Sequence, residues 1–265
     1  MRIVVTAKFV PDATATRRFD TRDNTTDRET DGILNELDEY AVEEALRLTH
    51  HEHDQVIVLT VGPEDATIAL RKALHMGADI GVHVTDAALA GSDAVSTSHV
   101  LAAAITHIGA CFGPIDVVLS GMASTDGGMR VIPAMLAECL DLPMITFADE
   151  LTITNGVARI HRATPDAHEI VEADLPAIIS VSDRINEPRY PTYRQIIAAN
   201  SKHVYTWELG DIGIDPTTVG HHGARTYVRS ATPATSTHRK HTIVTEDQGG
   251  QALAELLRAH GTRPA

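Results

Sequence analysis

The sequence predicts a doubly wound α/β fold: a mostly parallel sheet with helices on both faces, an antiparallel extension at its edge and a C-terminal arm. Three observations predict it. Short apolar runs alternate with helix-period segments as far as about Leu140, the pattern breaks into short alternating runs after Pro143, and from about Asn200 the composition loosens into Gly, Thr, Pro, Ser and His. Strands and helices that alternate at such spacing pair in parallel through right-handed crossovers, because each helix must pack back onto the twisted sheet.

Residues 1–9, 55–61, 79–84 and 115–119 are apolar runs bounded by turn or cap residues, as expected of strands buried on both faces. In the helical segment NELDEYAVEEALRLTH, Asn35 is a natural N-cap with Asp38 three residues on, and Leu37, Tyr40, Ala41, Ala45 and Leu48 recur as a buried face. In GPEDATIALRKALHMG, Pro63 suits the first helical position, Glu64 and Asp65 suit the positive end of the dipole, and Gly77 suits the stop. Two further helices are expected over about 92–108 and 129–140. Beyond Pro143, Asn155-Gly156 is the strongest hairpin signal in the chain. A strand pair is read across it, then a strand near 168–171 and a buried strand at 177–181, all extending the sheet at its edge. The stretch after Asn200 is too long and irregular for the interior of a compact domain. Residues 1–199 are therefore read as the α/β domain. Residues 200–265 are read as an arm that packs on something else, closed by a short helix over 251–259 with Leu253, Leu256 and Leu257 on its apolar face. Residues 230–240 also suit a disordered tail.

At 265 residues the chain is long enough for one domain with a sizeable appendage. The 36 acidic against 22 basic residues give a net charge of −14, which repels phosphate backbones and excludes nucleic acid as the expected partner. The apolar runs read as too short to span a membrane. Met1 leads straight into a strand-like run with no room for a signal peptide, so a cytoplasmic chain starting at Met1 is expected. Cys111 and Cys139 lack metal or redox spacing and read as buried small hydrophobes. His50, His51 and His53 read as a solvated patch at a helix end.

The stretch GMASTDGGMRVIPAM, residues 121–135, follows a strand and opens a helix. Such a junction aims backbone N–H groups and a helix dipole at the carboxyl end of the sheet, where open α/β sheets bind anions. It has neither the P-loop lysine nor GxGxxG, so gripping a triphosphate for hydrolysis is unsupported. Ser124 and Thr125 offer hydroxyls, Gly127 and Gly128 let the backbone approach, and Arg130 adds charge. The same residues also read as a plain strand-to-helix turn with Asp126 as its N-cap. In a doubly wound sheet Thr6, Ala7, the Asn35 to Asp38 turn, Val61 and Gly62 fall near this loop and outline an adenosine-sized slot, a Rossmann-like, adenine-nucleotide-binding arrangement. No Ser/His/Asp, Cys/His, paired-carboxylate or HExxH pattern stands out in it.

VTAKFVPD, NELDEYAVEEALRL, VGPEDATIALRKALHMGAD, GMASTDG and above all LPAIISVSDRINEPRYPTYRQIIAA resemble the β subunit of electron transfer flavoproteins, including the nitrogen-fixation-associated members, from Met1 to about Ala199. The resemblance implies an α-subunit partner that holds most of an FAD. It implies electron transfer from flavin dehydrogenases, such as acyl-CoA dehydrogenases, to a membrane quinone oxidoreductase, with a structural AMP in this subunit. Carried over, the AMP contacts are Thr6, Asn35 through Asp38 including Leu37, Val61, and the loop Ser124, Thr125, Asp126, Gly127, Gly128, Met129, Arg130, Val131, Ile132 on to Met135. A segment of about 186–199, with Glu187, Arg189, Tyr193, Ile196 and Ile197, corresponds to the loop that docks partner dehydrogenases. Arg189 suits either a partner carboxylate or a capping role.

Three departures stand out. Thr125 to Pro133 replaces acidic residues and Asn-Gln-Thr-Gly, so backbone donors and Arg130 stand in for side chains. Positions that are aromatic near the flavin in relatives are here Ala13 and Leu37. The lysine-rich stretch after the recognition loop shrinks to Asn200-Ser201-Lys202-His203, leaving less charge to steer an acidic partner. Two other readings compete: an electron-bifurcating subunit with a second FAD in place of AMP and NADH as donor, and a stand-alone adenine-nucleotide sensor.

Overall fold

The computed structural model describes residues 1–12, 14, 18–28, 31–232, 243–245 and 247–259. Ala13 and most of the stretch 230–240 lie outside the described residues. The chain divides into a compact unit of Met1–Ser230 and a second of Ala231–Ala265.

In the first unit, β1 (Arg2–Thr6), a small hairpin of β2 (Phe9–Pro11) and β3 (Gly32–Leu34), α1 (Glu36–Leu48), β4 (Gln55–Val61), α2 (Thr67–Met76), β5 (Ile80–Val84), α3 (Ala94–Phe112), β6 (Val117–Gly121) and α4 (Ile132–Leu140) follow in order. Then come β7 (Met144–Ala148), β8 (Glu150–Thr154), β9 (Val157–Ala163), β10 (His168–Asp174), β11 (Ala177–Val181), α5 (Tyr193–Ala199), β12 (Val204–Trp207) and the single turn α6 (Gly220–Gly223). Seven strands form one sheet in the order β12-β5-β4-β1-β6-β11-β7, every pair parallel. One face buries Val5, Val58, Leu119 and Ile179 against Ala41, Ala45, Leu70 and Leu74; the other buries Val4, Ile57, Leu59 and Ile178 against Val100, Ile105, Ile108 and Leu136. Alternate residues of each strand thus go to opposite helical layers, which is why these strands read as unbroken apolar runs.

Asn155 and Gly156 have φ of 54° and 79°, both positive as a type I′ hairpin turn requires, and join β8 to β9. The antiparallel strands differ from expectation in one respect: β8, β9 and β10 form a three-stranded sheet of their own beside the β7 edge and share no ladder with the parallel strands. β11 is not at the edge either, but pairs with both β6 and β7. Its five residues are all buried, so both faces need cover, and only an interior position supplies it.

The stretch after Asn200, expected to leave the domain, returns to it. Gly81 and Thr85 donate backbone hydrogen bonds to His203 and Trp207, making β12 the far edge strand, and Leu209, Ile212 and Val219 are buried against the α3 layer. In the second unit α7 (Gly249–Ala259) carries Leu253, Leu256 and Leu257 on its exposed surface. α3 has 19 residues with a mean hydropathy of 1.3, so by length and composition it is the one helix among the described residues that meets the requirement for a membrane span, contrary to expectation. Eight of its residues are buried within the fold. Cys111 and Cys139 are exposed, not buried, because each falls on the outward side of its helix. His50, His51 and His53 are exposed after α1, and no cluster with metal-ligand character occurs among the described residues.

Candidate functional site

The carboxyl ends of β1, β4 and β6 and the start of α1 converge on the glycine loop. β1 lies between β4 and β6, pairing Thr6 with Leu59 on one side and Ser120 on the other, so Thr6 and Ala7 sit buried at the middle of the junction. Val61 ends β4, half-buried, one strand further from the loop.

Asn35 occupies the N-cap position of α1, but its side chain caps nothing there. Fully buried, it donates from Nδ2 to the Ala123 carbonyl at 2.9 Å and accepts the Thr125 N–H at 3.0 Å, so the expected cap instead pins the loop to the helix. Asp38 in the first helical turn accepts the Lys8 N–H at 2.8 Å and the Gly121 N–H. A side chain at Gly121 is impossible without movement: its Cβ would lie 2.5 Å from the Leu37 carbonyl oxygen and 2.6 Å from Asp38 Oδ1. Burial pushes the Asp38 carboxyl up to about 7, outweighing its N–H donors and Lys8.

Asp126 is the second fixed point. Its side chain is completely buried, accepting Lys8 Nζ at 2.9 Å, Arg28 Nη2 at 2.5 Å and the Gly127 N–H at 2.7 Å. Burial alone would raise its pKa; Lys8 and Arg28 outweigh that and hold it well below the usual carboxylate range. Burial also pulls the Lys8 ammonium below its ordinary value despite Asp126. Asp126 is therefore not an N-cap. That position belongs to half-buried Val131, after which Ile132 opens α4 with Pro133 in its first turn, where a missing N–H costs little.

Ser124 steadies the turn, its hydroxyl accepting the Gly127 N–H at 3.3 Å and its carbonyl the Gly128 N–H at 2.9 Å. Gly127, Gly128, Met129 and Arg130 are exposed. Gly128 and Arg130 have φ of 61° and 60°. A Cβ on Gly128 would meet nothing within 4 Å, so this glycine leaves the backbone open to solvent. Arg130 holds the same conformation without glycine's freedom, at about 1 kcal/mol, the kind of strain that collects at functional turns. Lys8, Arg28 and Arg130 against Asp126 leave an excess of positive charge on a chain of net −14, next to an open backbone turn and a helix N-terminus. That combination fits a small anion.

Sequence reasoning missed Lys8 and Arg28. Lys8 directly follows the strand in VTAK and was findable from its place at a strand end; Arg28 has no local signal. Hollows elsewhere among the described residues include a crevice of about 160 Å³ lined by Ile105, Gly109, Ile115, Leu140 and Pro176, and one of about 350 Å³ beside His161, Arg162 and Arg184. Neither includes a residue of the 121–131 glycine loop.

The segment around Arg189 lies against α1. Arg189 makes a bidentate pair with Glu43, Nε to Oε2 at 2.6 Å and Nη2 to Oε1 at 2.9 Å, so its guanidinium is engaged by a carboxylate of this chain. Asn186 Nδ2 donates to the Tyr40 carbonyl and to Glu44, each at 3.0 Å. Glu187 is exposed. Beyond them a Thr192–Gln195 capping box starts α5, and Tyr190, Tyr193, Ile196 and Ile197 form an exposed apolar patch, with Tyr193 79% and Ile197 53% exposed. The face of α1 that the apolar spacing marks as buried is fully buried at Ala41 and Ala45 but only half-buried at Leu37, Tyr40 and Leu48, and it is also wider than expected. It includes Glu43 and Glu44, because this segment covers them.

The family model described as the electron transfer flavoprotein domain matches residues 23–212. The chain is 40% identical to an electron transfer flavoprotein subunit beta of Mycobacterium tuberculosis over 96% of this chain and 97% of that protein. It is 35% identical to one of Clostridium acetobutylicum over 87% of each chain. A third relative, 34% identical over 88% of each chain, is the caffeyl-CoA reductase-Etf complex subunit CarD of Acetobacterium woodii.

Proposed function

The chain belongs to the electron transfer flavoprotein β subunits, and from that premise we propose that it pairs with an α subunit holding most of an FAD, with AMP held structurally in its own carboxyl-end cleft. The flavin supplies the one-electron and hydride chemistry. This chain's residues bind and orient. In this reading the heterodimer works in the cytoplasm, taking electrons from flavin dehydrogenases, acyl-CoA dehydrogenases among them, and delivering them to a quinone oxidoreductase. The 190–197 patch docks the dehydrogenase, and α7 packs on the α subunit.

One observation carries the nucleotide assignment: the loop is held from behind by Asn35 and by the Lys8–Asp126–Arg28 network, while the Gly127 and Gly128 backbone faces outward. A monophosphate needs only an open backbone turn, a helix N-terminus and a modest positive excess, without a P-loop lysine. Thr6, Ala7, Leu37 and Val61 would flank the nucleoside, and Arg130 to Ile132 would lie toward the phosphate. The test is the nucleotide content of the chain purified with its α subunit, released by denaturation and resolved by chromatography. One FAD and one AMP per heterodimer is the expected result. Two FAD and no AMP would overturn the AMP assignment.

A further inference from the structure

α1 is a continuous helix of 13 residues, and two segments without regular structure are tied to it at different points. At its start, Asn35 holds the loop through Ala123 and Thr125, and Asp38 holds the Lys8 and Gly121 backbone. About 12 Å further along, at the α-helical rise, Glu43 holds Arg189 by two side-chain hydrogen bonds, and Glu44 and the Tyr40 carbonyl hold Asn186. Both glutamates are only 6% exposed. Buried carboxylates are costly unless paired, so their presence on the covered face of α1 is explained by the groups they grip. The gripped segment cannot fix its own shape. Residues 186–191 have no regular secondary structure, and α5, at seven residues, is shorter than a helix that stands alone. Its pose is set by α1 and by α2, on which α5 packs.

We propose that a nucleotide in the carboxyl-end cleft sets the pose of the exposed 190–197 patch through α1, with Glu43 and Glu44 as the positioning residues that join Arg189 and Asn186 to that helix. The proposal rests on the reading of the cleft as an adenine-nucleotide site. A ligand on the loop redistributes the charge and hydrogen bonding around Lys8, Asp126, Asn35 and Asp38, all of which bear on the first turn of α1. A stiff helix conveys that bias to its middle turns. Linkage makes the effect reciprocal: whatever docks on the patch changes nucleotide affinity by the same factor.

The test uses the full chain with AMP as probe, binding measured by equilibrium dialysis and backbone protection by hydrogen–deuterium exchange. Saturating AMP is expected to slow exchange in the 121–132 loop and in residues 189–197, the latter by about fivefold or more, the lower end of ordinary coupling. In Glu43→Gln, AMP still protects the loop but no longer the 189–197 segment. Asn186→Ala, a milder change at the half-buried surface, is expected to reduce that protection in part and serves if Glu43→Gln does not fold. AMP that binds and protects the loop while leaving 189–197 unchanged overturns the coupling and leaves the nucleotide reading standing. Undiminished protection of 189–197 in both variants overturns the assignment of Glu43 and Glu44. No binding of AMP overturns the nucleotide reading, and the coupling with it.

Discussion

The two ends of the same parallel strands are finished by opposite means. At the amino end, charged groups sit near the surface and serve as staples. Arg2 donates its backbone N–H to Asp116 and its guanidinium to Gln55 and the Pro114 carbonyl, while Lys202 Nζ reaches the Gly77 and Ala78 carbonyls at the end of α2 at 2.9 and 2.7 Å. At the carboxyl end the charges are inside. Asp38 and the Asp126 side chain are buried, one with its pKa pushed up and the other held low. Burying carboxylates costs stability that an apolar junction would not, and beside the glycine loop the fold accepts that cost twice, in Asp38 and Asp126. Position along the strands, more than composition, separates the structural polar groups from the candidate functional ones.

Five substitutions, in four predictions, break or sharpen that contrast. The largest effect is expected at Gly121, where a Cβ meets backbone and a buried carboxylate: Gly121→Ala should destabilise the chain by about 3 kcal/mol or prevent folding, read by chemical denaturation. The second concerns pH. The folded Asp38 carboxyl keeps its proton up to about 7 while the unfolded one releases it near the ordinary 3.8. Its contribution is therefore fully present below that value and is lost as pH rises toward 7, on the order of 2–4 kcal/mol. Asp38→Asn should flatten this decline. The amino-end Asp54 should show the opposite slope. Burial would raise its pKa, but the Met1 amine and the His50 and His51 N–H groups outweigh it and lower it to about 2, so its contribution is present above 3.8 and lost as pH falls toward 2. Stability measured against pH for both Asp→Asn variants checks the pair of signs.

Third, Lys202→Met removes the cap on α2 and should cost about 1–2 kcal/mol by thermal or urea unfolding, with the carboxyl-end cleft unaffected. Smallest, Gly109→Ala in α3 meets only Ile115 Cδ1, at 3.8 Å, and should stabilise the chain by about 0.5–1 kcal/mol. An amino-end glycine is dispensable where the carboxyl-end one is not, and equal effects at Gly109 and Gly121 would erase the distinction.

The parallel core was legible because β1, β4, β5 and β6 are apolar on both faces and their helices carry ordinary stop signals such as Gly77. The hairpin was legible because Asn155-Gly156 supplies both positive φ values. What escaped reading was long-range. The return of 204–207 as an edge strand depends on β5 offering an open edge, which no local pattern records. Asn35 read as a cap because its spacing is that of one; the loop 88 residues away supplies the competing partners. Lys202, a remnant of a charged stretch by sequence, is a helix cap in three dimensions. Glu43 and Glu44 lie under Arg189 and Asn186, more than a hundred residues on, a contact that no local pattern records.

The sheet order has a consequence for the chain as it is made. β1 emerges first yet lies at the centre, and its amino-end partners Gln55 and Asp116 follow 53 and 114 residues later. Until β4 has left the ribosome both edges of β1 are unpaired, its β6 edge stays open longer, and β12 closes the far side later still. Such long-range parallel pairing is slow and exposes sticky strands meanwhile. The nascent chain is expected to lean on a holding chaperone until β6 is complete, with rapid release once residue 121 is available to pair.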